Sequence, residues 1–406
     1  MNPRFIVLFY LVLNIRFNLF FLYAMKFKHR AYIFIFYLLR VFPIQKNKVV
    51  ISNFGGKGYG CNCKYITNAL LDKDPNQKLD LVWLTEGEVD GVPDRIRKVS
   101  YNSFKSFFEL ATAKVWIDNI RKPPYVRKRK KQFYIMTWHG GLCFKKVEKD
   151  AIHSLRRSYI YSAKNDSSMA DLFLADSEWT YKHFQKSFWY EHEIAKCGSP
   201  RLDVIFRDDS ALKKQIKEKY GISENTKCVL YAPTFRVNND ESSIGVYKLD
   251  WKQVIDSLEK KTGDSWIGLI RLHPNVSNLS DKLDLPSNVL DMTSYPDMQE
   301  LLLVADCFIT DYSSAIFEYS VKGKMAFMYA IDLAEYMKDR DFYFNISELP
   351  YPFAQSNAEL ASNILSFSEN EYAQKIHEFF HDRCGLYEGG HASEYVANRI
   401  LEKLDF

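Results

Sequence analysis

Three short segments combine histidine, arginine, serine or aspartate side chains with residues that end β-strands. They are Thr137–Gly141 (TWHGG), Arg271–Pro274 (RLHP) and Ile309–Tyr319 (ITDYSSAIFEY). Each follows or begins with a short apolar run typical of a buried strand, and ligands of open α/β sheets bind beyond the carboxyl ends of the strands. Imidazole, guanidinium and hydroxyl groups gathered there predict one cleft that handles phosphate groups.

The histidine of the first segment is the candidate for proton transfer. His139 is flanked by Trp138, whose flat ring restricts the imidazole, and by Gly140 and Gly141, which let a ligand approach the backbone. A neutral imidazole near pH 7 accepts a proton from an attacking hydroxyl. The alternative interpretation is a histidine that is satisfied by a backbone carbonyl.

The second segment pairs a permanent cation with a titratable donor. Arg271 and His273 stand at a strand terminus, and such a pair suits phosphate oxygens whose charge shifts during transfer. An earlier strand runs into Pro233, with Thr234 and Arg236 just beyond it. This second strand end supports the same interpretation.

The third segment places polar side chains before a short helix. Asp311, Ser313 and Ser314 precede a predicted helix at Ala315–Val321, whose free N–H groups and dipole favour an anion. Helix capping alone explains one serine but not the whole turn. Glu318 lies one turn further on, where it is either an acceptor for ribose or alditol hydroxyls or part of a solvated helix face.

Alternating strands and helices position these segments. The predicted strands are Lys48–Asn53, Leu79–Thr85, Val115–Asn119, Phe133–Thr137, Leu172–Asp176, Cys228–Tyr231, Trp266–Leu272, Phe308–Thr310 and Met325–Tyr329. Helical stretches separate them, and this rhythm predicts an α/β fold with two parallel sheets. We expect domains at 46–205 and 206–385, followed by a C-terminal helix at 386–406.

Composition agrees with two globular domains and reduced cysteines. The chain has 406 residues, of which 47% are hydrophobic and 26% charged, as in ordinary globular proteins and unlike disordered chains. Its seven cysteines form no CxxC pair, which argues against a structural zinc site. No acidic cluster suits a divalent cation either, so we expect neither a protein-bound metal nor a cofactor.

The N-terminal residues predict contact with a membrane. Residues 1–50 hold eight Lys or Arg and no acidic residue, among many large apolar side chains. We expect a membrane-associating helical segment at 1–45, with its cations on anionic headgroups. Arg16 penalises a spanning helix, and no small-residue cleavage site follows the apolar run. The alternative is that these helices pack on the globular body.

Two further segments allow opposing interpretations. Arg121–Gln132 holds seven basic residues and two prolines, and is either a solvated loop or a basic collar that attracts an anionic membrane or acceptor. Gly55–Gly60 matches neither the dinucleotide fingerprint nor the P-loop, because Cys61 follows it. The glycines predict a flexible turn from strand to helix, with phosphate contact as the alternative.

Taken together, the motifs resemble the CDP-glycerol glycerophosphotransferases of teichoic acid and capsule synthesis. The resemblance covers roughly residues 40 to 390, and it includes Gly198–Val204 (GSPRLDV) and Tyr231–Arg236 (YAPTFR). It implies a GT-B-like pair of Rossmann domains. It also implies transfer of glycerol phosphate, or a related alditol phosphate, from a CDP-activated donor to an acceptor hydroxyl, with release of CMP.

The same resemblance assigns roles to individual residues. It implies that His139 and His273 are catalytic. Donor contacts are implied for Trp138, Gly140, Gly141, Leu142, Arg201, Pro233, Thr234, Arg271, Leu272, Ser313, Ser314 and Glu318. Arg236 and Asp311 are implied as phosphate or structural support. The chain departs from the family pattern where Gly141 and Leu142 replace Thr-Pro and where Glu318 replaces Asp, which leaves the alditol open.

The expected mechanism is a single in-line displacement with His139 as base. Expected partners are CDP-glycerol or CDP-ribitol, a lipid-linked saccharide or polymer acceptor and an anionic membrane surface, with no nucleic acid. The expected location is the cytoplasmic face of the bacterial membrane. Two alternatives remain: a GT-B nucleotide-sugar glycosyltransferase, and a catalytically inactive partner of a polymer-synthesis complex.

Overall fold

The structure, a computed structural model, describes residues 27–236, 245–273, 276, 279, 282–339, 341–387 and 389–404. Its first sheet has seven strands, all parallel, in the order β3-β2-β1-β4-β5-β6-β7. The strands are β1 Gln45–Ser52, β2 Asp80–Thr85, β3 Arg97–Ser100, β4 Ala113–Asp118, β5 Phe133–Met136, β6 Leu172–Ala175 and β7 Glu193–Lys196.

The second sheet repeats this topology with six parallel strands in the order β10-β9-β8-β11-β12-β13. They are β8 Lys227–Tyr231, β9 Trp266–Ile270, β10 Val289–Asp291, β11 Cys307–Thr310, β12 Ala326–Tyr329 and β13 Phe353–Ala354. In both sheets the order reverses between the first and fourth strands, the type of position where open α/β sheets bind ligands. The predicted α/β class with two parallel sheets is confirmed.

Helices connect the strands and cover the sheets. They are α1 at 27–38, α2 Cys61–Lys73, α3 Phe104–Thr112, α4 Arg157–Met169, α5 Glu178–Ser187, α6 Asp203–Arg207, α7 Ser210–Lys219, α8 Trp251–Thr262, α9 Met298–Val304, α10 Ala315–Ser320, α11 Leu333–Asp339, α12 Asn357–Leu365, α13 Glu369–His377 and α14 Ala392–Lys403. The central strands are nearly continuous apolar runs because both faces of each sheet are buried.

The last helix returns to the first sheet. Val396, Ala397 and Ile400 of α14 are buried in the apolar core on one face of that sheet. The Asp203 carboxylate accepts the backbone N–H groups of Ala392 and Ser393, at 3.0 and 2.7 Å, and so fixes the start of α14. The last helix therefore packs on the first sheet although the second sheet precedes it in the chain.

The part of the predicted membrane segment that is described packs on the protein body with one face and leaves the other exposed. Phe36 is buried in the first-sheet core, and its ring lies 4.9 Å from that of Phe107. Phe34 and Leu38 on the other face are exposed. Residues 1–26 lie outside the described residues. Within the part of the chain that is described, no helix has the length and apolarity to cross a membrane.

The basic segment is largely paired inside the protein. The Arg121 guanidinium forms an ion pair with Glu148 at 2.8 Å, and the Lys122 ammonium forms one with Asp118 at 2.7 Å. The Lys128 ammonium meets the Asp171 carboxylate at 2.7 Å. Arg129 donates to the backbone carbonyls of Phe42, Ala111 and Arg40. These four side chains are therefore neither part of a solvated loop nor open to an anionic partner, because carboxylates pair with three of them and backbone carbonyls accept hydrogen bonds from Arg129.

Candidate active site

The predicted site residues lie just beyond the carboxyl ends of strands. In the first sheet, His139 follows β5 and Arg201 follows β7. In the second sheet, Thr234 follows β8, Arg271 and His273 follow β9, and the serine turn follows β11. Parallel pairing puts the strands of each sheet in the same direction, so each set of residues shares one edge.

The two carboxyl edges face one another. The buried Arg201 guanidinium of the first edge pairs with the Glu318 carboxylate on α10 of the second. The Lys64 ammonium of α2 lies 2.8 Å from the Asp297 carboxylate at the start of α9. Ion pairs that span the cleft at two places hold the edges together, and burial strengthens the Arg201 pair relative to a solvated one.

The loop that follows His139 extends across to the second half of the chain. The Phe144 carbonyl accepts a hydrogen bond from the Tyr343 N–H at 2.7 Å, and Lys145 pairs with Phe342 as an antiparallel bridge. The charge of Lys145 is close enough to lower the pKa of His273. This loop thus brings the TWHGG segment and His273 to one cleft.

The His139 ring is held in one orientation. Its Nδ1 lies 2.8 Å from the backbone carbonyl oxygen of Asn119, so Nδ1 carries the proton and donates it to that carbonyl. The Trp138 and Phe54 rings lie 4.6 and 5.5 Å from the imidazole. The carbonyl contact that was the alternative to a catalytic role is present, and it leaves Nε2 with a lone pair that accepts a proton.

The environment keeps this imidazole neutral. Burial lowers the pKa of His139 to about 4, the bond to Asn119 opposes the shift, and the charges of Arg201 and Arg121 add to it. A cation is disfavoured where burial weakens its solvation and two guanidinium groups lie nearby. At pH 7 the ring is therefore neutral, with Nε2 unprotonated.

Backbone strain marks the same turn. Trp138 has φ of 54°, in the left-handed region that few non-glycine residues adopt. The Arg121 guanidinium lies 5.4 Å from the Trp138 ring, and Phe188 meets that ring edge-on at 5.1 Å. Packing of the Trp138 ring against Arg121 and Phe188 maintains the strained backbone conformation that directs His139 towards the cleft.

The second edge supplies Arg271 and His273. Burial lowers the pKa of His273, and the charges of Lys145 and Arg271 lower it further. The ring of Phe235 lies 4.8 Å from that of His273. The Arg271 Nη1 is buried, with no hydrogen-bond partner among the described residues. Leu272 between them is buried, and its N–H donates to the Thr293 hydroxyl at 3.1 Å.

Arg236 and Asp311 support the turn around Thr234. The Asp311 carboxylate accepts the Thr234 N–H and hydroxyl at 2.9 and 2.8 Å. The Arg236 guanidinium pairs with the Asp332 carboxylate through two nitrogens at 2.7 and 3.0 Å, and one of these nitrogens also lies 2.8 Å from Asp311. Of the two predicted roles for Arg236 and Asp311, these contacts favour structural support over phosphate binding. The neighbouring Pro233 is buried.

The serine turn and Glu318 differ in exposure. The Ser313 hydroxyl accepts the Ala315 N–H at 3.3 Å, whereas Ser314 occupies the cap position of α10 without a side-chain bond of that kind. Glu318 is buried and accepts from Gln299 Nε2 at 2.8 Å as well as from Arg201. The interpretation of Glu318 as part of a solvated helix face is wrong, because the first-sheet edge covers this face of α10.

Sequence reasoning missed several residues that shape the site. The Asn119 side chain accepts the Phe54 N–H at 2.7 Å and donates to the Asn53 side-chain oxygen at 2.8 Å, linking the ends of β1 and β4. Asn62 of α2 donates to the Trp138 carbonyl at 3.0 Å and accepts the Arg201 N–H at 3.0 Å. Asn119 could have been identified from the sequence because it directly follows a strand. No sequence signal identifies Asn62.

Comparison with known proteins shows the family to which the chain belongs. The family profile described as "CDP-Glycerol:Poly(glycerophosphate) glycerophosphotransferase" matches residues 33–402. A teichoic acid poly(glycerol phosphate) polymerase of Staphylococcus epidermidis is 30% identical over 370 residues, which cover 88% of this chain and 51% of that protein. The chain therefore spans about half the length of that relative.

Other relatives match over nearly their whole length. A teichoic acid glycerol-phosphate transferase of Staphylococcus aureus is 29% identical, with 90% of this chain and 96% of that protein covered. A solved structure of the wall teichoic acid polymerase TagF has a TM-score of 0.80 and 28% identity, covering 94% of this chain and 98% of that chain. A TagF variant soaked with CDPG has a TM-score of 0.78 and 28% identity, covering 89% and 90%.

The family profile covers far more than half of the chain, and the fold matches over nearly its whole length. The resemblance found from the sequence motifs is confirmed. The chain belongs to the CDP-glycerol:poly(glycerophosphate) glycerophosphotransferase family.

Proposed function

We propose that the protein transfers an alditol phosphate, glycerol phosphate or ribitol phosphate, from a CDP-activated donor to a hydroxyl of a lipid-linked or polymeric acceptor, and that CMP is released. The reaction serves teichoic acid or capsule polymer synthesis. The relatives named above support this proposal, since their names describe a teichoic acid poly(glycerol phosphate) polymerase and a teichoic acid glycerol-phosphate transferase. The observation that carries it is a neutral, oriented His139 at an edge that faces a second site with Arg271 and His273.

The proposed mechanism is a single in-line displacement. His139 Nε2 accepts the proton of the acceptor hydroxyl, whose oxygen attacks the phosphorus that carries the alditol. The bond from that phosphorus to the bridging oxygen breaks, and the electron pair leaves with CMP. Arg271 and His273 stabilise the charge that develops on the leaving phosphate. The rate gain comes from positioning and electrostatics, as in other phosphoryl transfers.

The proposed donor site lies between the two sheets in a GT-B-like arrangement, with domains at 46–205 and 206–385 and the C-terminal helix at 386–406. We assign donor contacts to the turn that contains His139, to Pro233 and Thr234, and to the Ser313–Ser314 turn. The Arg201–Glu318 ion pair is assigned structural support of the cleft, since the guanidinium and the carboxylate neutralise each other's charge. Arg236 and Asp311 are assigned structural support.

Turnover of a purified sample tests the function. The protein is incubated with CDP-glycerol or CDP-ribitol and a primed acceptor, and CMP is measured. We expect CMP from at least one donor, and loss of about two to four orders of magnitude in His139→Ala, the range for a general base. Nucleoside diphosphate released from a nucleotide sugar identifies a glycosyltransferase instead. Binding of donor without turnover identifies an inactive partner, and either result refutes the proposal.

We also propose that the segment at 1–45 attaches the protein to the cytoplasmic face of the membrane. Exposed apolar side chains of α1 and the adjoining residues support this, namely Phe27, Phe34, Tyr37, Leu38, Val41 and Phe42. Co-sedimentation with vesicles of anionic or zwitterionic lipid tests it. We expect anionic vesicles to bind more protein, and a Phe34→Ser and Leu38→Ser double variant to bind less. Equal sedimentation of this variant refutes the role of this face.

A further inference from the structure

Asn62 is a buried amide where three turns of the first-sheet edge meet. It stands in the first turn of α2, which follows the turn after β1. It contacts the turn after β5, which contains Trp138, and the turn after β7, which contains Arg201. Only 2% of Asn62 is exposed. A buried polar side chain is costly unless its hydrogen bonds are made, so its partners show what it holds in place.

All four hydrogen-bonding positions of this amide are used. Its Oδ1 accepts the Arg201 N–H at 3.0 Å and the Ser199 hydroxyl at 3.1 Å. Its Nδ2 donates to the Trp138 carbonyl at 3.0 Å and lies 3.5 Å from the Thr137 carbonyl oxygen. A backbone N–H only donates and a backbone carbonyl only accepts, so the amide fits in one orientation. Neither leucine nor an ionised aspartate, both of similar size, presents a donor and an acceptor together.

The bond to the Trp138 carbonyl fixes the peptide that leads into His139. This carbonyl and the His139 nitrogen belong to one peptide plane, so holding the oxygen sets the direction of the next residue. The φ of Trp138 is 54°, a strained value that persists only where surrounding contacts maintain it. The Thr137 hydroxyl also donates to this carbonyl, at 2.9 Å, but from the same turn. The bond from Asn62 is the one that anchors the peptide to a different element.

The turn has little room to adjust beyond His139. A Cβ built on Gly141 would overlap the Asp176 side chain, whose carboxylate accepts the Leu142 N–H at 3.3 Å. This end of the turn is therefore packed against β6. If the bond from α2 is lost, the displacement falls on Trp138 and His139, which lie between the packed end and the strand.

The same amide also fixes Arg201. The Arg201 N–H donates to Asn62, while its guanidinium pairs with Glu318 of the second edge. The charge of Arg201 is also close enough to His139 to lower the pKa of the imidazole. Asn62 therefore connects the turn of the proposed base to the cation that joins the two edges.

We infer that Asn62 is a positioning residue, whose side-chain amide holds the Trp138–His139 peptide and Arg201 in one geometry and so keeps the proposed base directed towards the cleft. The inference rests on the proposed function and adds a residue of α2 to it. Asn62 acts through His139 and not on the substrate.

Kinetics of Asn62→Leu and Asn62→Asp test this inference. Asn62→Leu lacks every bond of the amide and should lower kcat for CMP release, per folded molecule, about a hundredfold at every pH. In Asn62→Asp an ionised carboxylate still accepts the Arg201 N–H but faces two carbonyl oxygens, so kcat should also be low at pH 8.

Protonation of the new carboxyl distinguishes these two variants. The protonated group donates its hydroxyl to the Trp138 carbonyl and accepts the Arg201 N–H, as asparagine does. Burial and the nearby Asp176 carboxylate, which lines the same small cavity, favour this form, and the Arg201 charge opposes it. The kcat of Asn62→Asp should therefore rise as the pH falls, by up to about tenfold per pH unit, while Asn62→Leu stays low.

The titration of the His139 imidazole gives a readout that needs no turnover. Nuclear magnetic resonance of isotope-labelled histidine follows each ring, and the His139 signal is the one that disappears in His139→Gln. In the wild type we expect a pKa of about 4. In Asn62→Leu the turn is no longer held, so the pKa should move towards the ordinary 6.5.

Thr67→Val is the matched control on the same helix. Thr67 is fully buried, and its hydroxyl donates to the Cys63 carbonyl one turn back at 2.7 Å. Valine has the same shape without the hydroxyl. This variant should lower the melting temperature while kcat per folded molecule and the His139 titration stay unchanged, with the folded fraction measured by circular dichroism.

Three kinetic results overturn the inference: wild-type kcat per folded molecule in both Asn62 variants, a loss in Asn62→Asp that does not change with pH, or the same loss in Thr67→Val. A wild type that releases no CMP from any CDP-alditol refutes the proposed function instead. The imidazole titration then still decides whether Asn62 holds the turn, because an unchanged His139 pKa in Asn62→Leu shows that it does not.

Discussion

The pH dependence of CMP release tests the assignment of His139 as base. Burial lowers the pKa of its imidazole to about 4 from an ordinary 6.5. At pH 5, a group with a pKa of about 4 is about 90% neutral, whereas a group with a pKa of 6.5 is about 3% neutral. The two cases differ about thirtyfold in active enzyme at this pH. We therefore expect kcat/KM to stay near its plateau from pH 7 to pH 5.

Stability limits the pH range of this measurement. The folded-state pKa of His139 lies below its unfolded value, so the folded protein binds fewer protons between those values and stability falls as the pH falls from about 6.5 to about 4. Lowering the pKa from 6.5 to about 4 disfavours the imidazolium by about 3 kcal/mol. About 2 kcal/mol of this is already felt at pH 5. Folded protein must therefore be verified by circular dichroism at each pH.

His183 provides a matched control. Burial lowers its pKa to about 4 as well, but it stacks on Trp179 at 4.8 Å, outside the turn that contains His139. His183→Gln removes one source of acid instability and should leave the acid limb of kcat/KM unchanged. An acid limb centred near pH 6.5 in folded protein refutes the burial argument for His139. A limb that moves in His183→Gln shows that unfolding, and not the base, sets the limb.

Further predictions concern the structural supports of the site. Arg201→Gln leaves the Glu318 carboxylate buried without a cation, and it should lower the free energy of unfolding by about 3 kcal/mol or more, seen as a lower melting temperature. Adding Glu318→Gln should restore part of this stability. Additive losses in the double variant would contradict the ion pair. Asn119→Leu removes the side-chain hydrogen bonds that join the ends of β1 and β4, and it should lower kcat about tenfold with KM unchanged. Loss of folded protein alone would not change kcat per folded molecule in this way. Gly56→Ala should destabilise by about 1 to 3 kcal/mol, because φ is 101° and the new Cβ lies 2.7 Å from the Glu86 nitrogen; an unchanged melting temperature would contradict this.

The sequence predicted the central strands well because they are short apolar runs buried on both faces. The observed bounds of β1, β4 and β11 differ from the predicted ones by at most three residues at either end. Four strands were missed: β3, β7, β10 and β13. All four lie at the edges of their sheets. The sequences of β3 and β7 are largely polar, and β10 and β13 have only three and two residues.

The positions of the candidate residues were predictable, but their partners were not. Arg201 and Glu318 were each assigned to the donor site, yet their contact joins residues 117 positions apart and depends on how the two sheets face one another. The same holds for Arg121, whose pairing with Glu148 and Asp166 no local pattern reveals.

The contacts of the His139 turn imply that the proposed base and the proposed donor site form together. Asn119 and Trp138 orient the imidazole from the first sheet, while the loop after it is fixed by hydrogen bonds to Tyr343 and its neighbours in the second half of the chain. A shift of one half relative to the other therefore moves the loop that follows the proposed base. It also moves Arg271 and His273, the groups proposed to stabilise the leaving phosphate. An isolated first half retains the histidine but loses this constraint. We expect the proton acceptor to be correctly placed only when both halves are in contact, which restricts attack on the donor to the closed cleft.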